Sequence, residues 1–131
     1  MKIEFDPARP IYLQIIDEVK RQIAAGILKP GDKMPSQRDL AVQLQVNANT
    51  VQRAYREMEL LGLVETLRGQ GTFIRQDESI VEGTRVEMVS QLLEDFISAM
   101  HSLGYGEEAI VELVQAYLSG RLANRGETHD R

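Results

Sequence analysis

Apolar residues recur at helical spacing along the amino-terminal half of the chain. Tyr12, Ile15, Ile16, Val19 and Ile23 form one stripe of a first helix, with Pro10 suited to its first turn and Gly26 closing it. Lys29-Pro30-Gly31-Asp32 has the composition of a turn. Ser36 with Asp39 three residues on reads as an amino-terminal cap, because the serine oxygen can accept from amides that lack a helical partner. The helix it opens is short and turns Leu40, Ala41 and Leu44 inward. Gln45-Val46 makes a tight turn, and Asn47 caps a third helix expected over about 48–61. Its apolar face is Val51, Ala54, Tyr55, Met58 and Leu61, and Gly62 offers a left-handed exit. A hairpin follows over about 63–75, with Gly69-Gln70-Gly71 supplying the positive φ of its turn.

The pattern then changes. Val86, Val89, Leu93, Phe96, Met100 and Leu103 step by threes and fours, a heptad seam widened by Leu92 and Ile97. Gly104-Tyr105-Gly106 breaks this helix. A last one starts at Glu107-Glu108, acids placed well for the helix dipole, and turns Ile110, Val111, Val114, Tyr117 and Leu118 inward. The fold class expected is mostly α with a small β wing: a winged helix-turn-helix followed by a two-helix dimerisation segment. The expected domains are 1–76 for the first module, 77–122 for the helical segment and 123–131 for a disordered tail.

Charge supports that division. The chain of 131 residues carries 15 basic and 20 acidic side chains, net −5, and that total alone argues against a nucleic-acid partner. Through Gln76, however, 11 bases meet nine acids, net +2, and the remainder carries four bases and 11 acids, net −7. Only the first module has to meet phosphate, and the acidic helices are expected to face away from a duplex. The chain has no cysteine, which removes disulfides and thiolate metal sites and fits a reducing compartment. No apolar run approaches the ~20 residues that span a bilayer, and Met1-Lys2-Ile3-Glu4-Phe5-Asp6 lacks the apolar stretch of a signal peptide. A cytoplasmic protein without a membrane partner is expected.

The polar face of the third helix carries the chemistry. Asn49, Gln52, Arg53 and Arg56 stand at i, i+3, i+4 and i+7. Amides can pair with adenine and guanidinium groups with guanine, and a helix fits the major groove. An ordinary solvated face has the same spacing. The capped helix-turn-helix before this face and the hairpin after it favour DNA. Arg38 lies in the first turn of the short helix, where free amides also attract a phosphate, although Asp39 offers it an ion pair. The glycine tip would let the backbone approach a minor groove, and Arg68 and Arg75 could add phosphate contacts.

Pro10-Ile11-Tyr12-Leu13-Gln14-Ile15, the run Pro30 to Ala41, the run Val46 to Tyr55 and Arg68-Gly69-Gln70-Gly71-Thr72-Phe73 resemble the GntR family of bacterial transcription regulators. The short helical carboxyl-terminal piece makes the chain similar to its YtrA subfamily. The resemblance implies DNA contacts from Arg38, from Asn49, Thr50, Gln52 and Arg53 at the start of the recognition helix, and from Gly69 and Gln70 in the wing. It also implies control of an ABC-transporter operon. Ala48 departs from the family, which often places proline there, but alanine is a good helix former.

The expectation is therefore a sequence-specific DNA-binding transcription regulator, a homodimeric repressor on a near-palindromic, double-stranded operator. Its DNA-binding residues are Arg38, Asn49, Thr50, Gln52, Arg53, Arg56, Arg68, Gly69 and Gln70. Its dimer interface is Val89, Leu92, Leu93, Phe96, Ile97 and Met100. The alternative is a winged-helix protein-interaction module, which would want apolar or aromatic groups where this face has amides and arginines. No enzyme is expected, since no nucleophile, base or phosphate loop comes together. No metal or cofactor is expected either: His101 reads as a surface group, His129 belongs to the tail, and Glu107, Glu108 and Glu112 read as a solvated helix start. A small-molecule effector is not indicated but stays open: the roughly 50 residues after the first module are too few for a full effector pocket, so one would bind at the dimer cleft or not at all.

Overall fold

The computed structural model describes residues 1–121, with five helices and one two-stranded antiparallel sheet among them. The tail expected over 123–131, His129 included, lies outside the described residues. The chain divides into two compact units after Met88. The charge change after Gln76 and this change of packing are different properties, and the helix that starts at Ser79 runs through the second of them.

In the first unit α1 spans Ile11–Ala24, α2 Gln37–Leu44 and α3 Ala48–Leu60. Pro10 stands one residue outside α1, as its cap, rather than in its first turn. Ile15, Val19 and Ile23 of α1, Leu40 of α2, and Val51, Ala54 and Met58 of α3 have no exposed surface at all. They form one core with Leu63, Val64 and Ile74 of the hairpin. Burial of each of these side chains other than Ala54 contributes about 1.5–3 kcal/mol. Both expected caps form: Ser36 Oγ accepts from the Asp39 amide at 3.0 Å, and Asn47 Oδ1 from the Asn49 amide at 2.7 Å. Gln45 makes the turn between α2 and α3 with φ 58°, the left-handed region.

Helical spacing assigns Leu61 to the apolar face of α3, but it is 55% exposed. The helix ends at Leu60, the chain leaves through Gly62 at φ 78°, and Leu63 takes the inward place instead. Gln14 goes the other way. It is buried, its amide donating to the carbonyls of Asp6 and Arg9 at 2.8 and 3.0 Å and its oxygen accepting from the Asp6 amide at 2.8 Å. Buried amides need such satisfaction, and here it ties the amino-terminal arm to α1.

The hairpin consists of β1, Val64–Leu67, and β2, Gly71–Ile74, in the register Val64 to Ile74 through Leu67 to Gly71. The turn-like stretch before α2 does more than turn. The Met34 amide donates to Thr72 O at 2.8 Å, Ile74 N to Asp32 O at 2.7 Å and Gly31 N to Ile74 O at 2.8 Å. These bonds cover the outer edge of β2, which an isolated two-stranded hairpin would leave open.

Helix α4 spans Ser79–Ser102. Its first turns belong to this unit: Thr84 is buried, Arg85 donates to the Ala24 carbonyl from Nε and Nη2 at 3.2 and 2.9 Å, and Lys20 pairs with Glu87 at 3.5 Å. Arg85 thereby satisfies a carbonyl at the end of α1.

The second unit holds the remainder of α4 and α5, Glu107–Leu118, joined through Gly104 at φ 95°. Ile110 is buried here. Val111, Tyr117 and Leu118, expected inward, are more than half exposed, and Val114 is at 36%. Two helices cover only the stripe along their contact, and the apolar faces of this pair are wider than that. Phe96 and Met100 of α4 and Leu113, Val114, Tyr117 and Leu118 of α5 line an apolar cavity of about 340 Å³.

Candidate nucleic-acid interface

Three local features of the first unit present the expected residues. Caps and packing fix α3 so that its polar side stays in solvent: Asn49, Gln52, Arg53 and Arg56 are exposed and Thr50 is partly so. Tyr55, on the opposite side, anchors the helix. Its hydroxyl donates to the Pro35 carbonyl at 2.6 Å, and burial pushes its pKa above the ordinary phenol value. That bond joins the recognition helix to the segment that enters α2.

Asn49, Thr50 and Arg53 line one cleft of about 400 Å³ with Ile11 and Tyr12 of α1. Gln52 and Arg56 lie outside it, elsewhere on the exposed side of α3. Arg38 sits exposed in the first turn of α2. The ion pair with Asp39 does not form. Among the described residues no carboxylate lies within 4.0 Å of Arg38, Arg53, Arg56 or Arg68, whereas Arg9, Arg21 and Arg85 each hold one. Guanidinium groups left unpaired on a surface remain available to phosphate and base edges.

At the hairpin tip Arg68, Gly69 and Gln70 are exposed, and the Gln70 amide donates to Leu67 O at 2.8 Å to close the loop. Gly69 has φ 78°, and nothing lies within 4 Å of where its Cβ would stand, so the tip is open to an approaching groove. Arg75 does not join it: its Nη1 is 3.1 Å from the Cβ position of Gly62, at the base of the hairpin.

Periodicity and motif miss two residues of this surface. Tyr12 falls in the core stripe of α1 by spacing, but it is only half-buried, and the Arg53 guanidinium lies 3.9 Å from its ring centroid. Lys33 follows directly on turn residues, yet its Cε lies 3.0 Å from the Cβ position of Gly71, which brings a cation to the wing. Pro30 and Pro35 bracket Lys33, and prolines favour an extended chain; that is the one signal present.

A capped short helix, a left-handed turn, a second helix bearing amides and free arginines, and a glycine-tipped hairpin define a winged helix-turn-helix, a class of DNA-binding module. Residues 11–74 match the family "Bacterial regulatory proteins, gntR family". The HTH-type transcriptional repressor YtrA of Bacillus subtilis is 42% identical over 117 residues, covering 86% of this chain and 89% of that one. A GntR family transcriptional regulator from Listeria monocytogenes superimposes with a TM-score of 0.79 at 40% identity, over 85% of this chain and 97% of that one. AraR(DBD), solved in complex with operator ORE1, is similar over 56% of this chain and 96% of its own, with a TM-score of 0.51 and 26% identity. The chain belongs to the gntR family of bacterial regulatory proteins and is a DNA-binding transcription regulator. No helix among the described residues is long and apolar enough to cross a membrane.

Proposed function

We propose that this regulator is a homodimeric, non-catalytic repressor acting in the cytoplasm, and that it binds a near-palindromic operator with one α3 per half-site. The observation that carries the DNA contacts is the set of unpaired arginines on α2, α3 and the wing. Gln52 and Arg53 read base edges, flanked by Asn49 and Thr50. Arg38, Arg56 and Arg68 take phosphates, Arg38 with help from the amides of the α2 start, and Gly69 and Gln70 bring the wing backbone to the minor groove. The repressor named YtrA supports the direction of control, and the operator complex of AraR(DBD) supports the target.

The dimer rests on the second unit. Val89, Leu92, Leu93 and Phe96 are between 41% and 68% exposed on one chain, with Ile97 and Met100 partly covered beside them. An apolar strip of this extent calls for a partner, and a second copy gives the two-fold symmetry that an inverted repeat needs.

Sequencing of DNA cross-linked to the protein in cells tests the reading. The enriched fragments should share an inverted repeat with half-site centres about 10–10.5 base pairs apart, or a multiple of that. Deleting the gene should raise transcription next to those sites. Gln52→Ala should weaken binding to the repeat by roughly 1–3 kcal/mol in a gel-shift titration. Fragments without a shared repeat, or lower transcription after deletion, would contradict the operator or the repressor part respectively.

A further inference from the structure

We infer that Tyr12, on the first helix, is a positioning residue for base readout: its ring is the platform that holds the Arg53 guanidinium in its reading orientation. The inference rests on α3 being the helix that meets DNA. The guanidinium carbon lies 3.9 Å from the Tyr12 ring centroid, and Nη2 donates to the Tyr12 hydroxyl at 3.2 Å. These are the only partners of Arg53 among the described residues.

The chemistry of this partner matters. A carboxylate would hold an arginine equally well, but it would neutralise the charge and occupy the donors that a guanine edge needs. An aromatic face attracts the cation without neutralising it. One face of the guanidinium and one N–H are engaged, which leaves four of its five N–H donors free. The platform is itself fixed. Tyr12 packs against the core one turn before buried Ile15 and Ile16, and a tyrosine ring has only two torsions to restrain. The same two residues share a cleft with Asn49 and Thr50, so the oriented guanidinium forms a wall of the space at the start of α3. An exposed arginine without this support would have to lose its rotamer freedom on meeting the base.

The test uses the full chain and duplexes selected from a random library. The wild-type consensus and each single-base change are then titrated against Tyr12→Leu, Tyr12→Phe and Arg53→Ala. Arg53→Ala should flatten the preference at one base pair per half-site by roughly 5- to 150-fold. Tyr12→Leu should flatten the same base pair, and no other, by about 2- to 5-fold, while Tyr12→Phe keeps the ring and stays within about twofold of wild type. Adding Tyr12→Leu to Arg53→Ala should change nothing further. If Tyr12→Leu unfolds the protein, Tyr12→Met fills the space without a ring face and is read in the same way. An unchanged preference in Tyr12→Leu, an even loss at all positions, or a Tyr12→Phe that falls as far as Tyr12→Leu overturns the platform while leaving Arg53 as a reader. An unchanged preference in Arg53→Ala overturns both.

Discussion

Single side chains on the recognition module do separable work, and Arg38 is the simplest to isolate. It is exposed, holds no carboxylate, and stands among amides at the start of α2. If it neutralises one phosphate in each half-site, Arg38→Ala lowers the slope of log affinity against log salt by about 0.9 per phosphate. Titrations between low and moderate salt measure this, and an identical slope would show that Arg38 touches no phosphate. Tyr55 makes a different prediction. Its folded pKa lies above the ordinary phenol value, so the native state favours the neutral form. The stability this confers is fully present below about pH 10 and disappears as pH rises beyond it, because the unfolded chain ionises first. Urea midpoints collected from pH 8 to 11.5 should fall more steeply for wild type than for Tyr55→Phe. The substitution itself costs about 1 kcal/mol at neutral pH, since the Pro35 carbonyl loses its donor. At this scale caps and the polar face are legible in the sequence, since each depends on neighbours within one turn. The pairing of Tyr12 with Arg53 is not, because its partners are 41 residues apart.

Elements differ in how much of their placement is local. Helix α3 starts where Asn47 accepts from the Asn49 amide, and the chain leaves it through the left-handed Gly62, both readable from residue type. Asn47→Ala should therefore destabilise the module by about 1 kcal/mol, visible as a lower urea midpoint with an unchanged m-value. A loss below a few tenths of a kcal/mol would mean that tertiary packing alone holds the helix start. The hairpin is equally legible from its glycines. Its third neighbour is not: Asp32 to Met34 carry no alternation, and they join β2 only because α2 and α3 return the chain to that edge. Likewise the Arg85 bond to Ala24 O joins α4 to α1 across 61 residues, and no spacing announces it.

For the whole molecule, charge and apolar area decide between association states and partners. The net −5 conceals a module of +2, so phosphate affinity has to come from placement rather than from total charge. The arginines of α2, α3 and the wing, left without carboxylate partners among the described residues, are the groups proposed to supply it. In the second unit Leu93 is 55% exposed within a strip expected to face a second copy. Leu93→Glu should convert the proposed dimer to monomer in light scattering and weaken operator binding with it. A dimer that persists would move the interface elsewhere on the chain.

Sequence by itself determined the helices, their caps, the wing turn and the polar side of α3, because capping bonds, positive φ and periodicity act within a few residues. It determined as well that the family and its DNA-binding class could be named from motifs. Only the tertiary structure decided which arginines stay free, that Tyr12 stays half-buried at the edge of the core with its ring against Arg53, and that Leu63 rather than Leu61 turns inward. Those outcomes depend on groups that are distant along the chain and meet only when the core closes. The pairing of a charge and the covering of an apolar side chain are properties of that meeting, not of the residue.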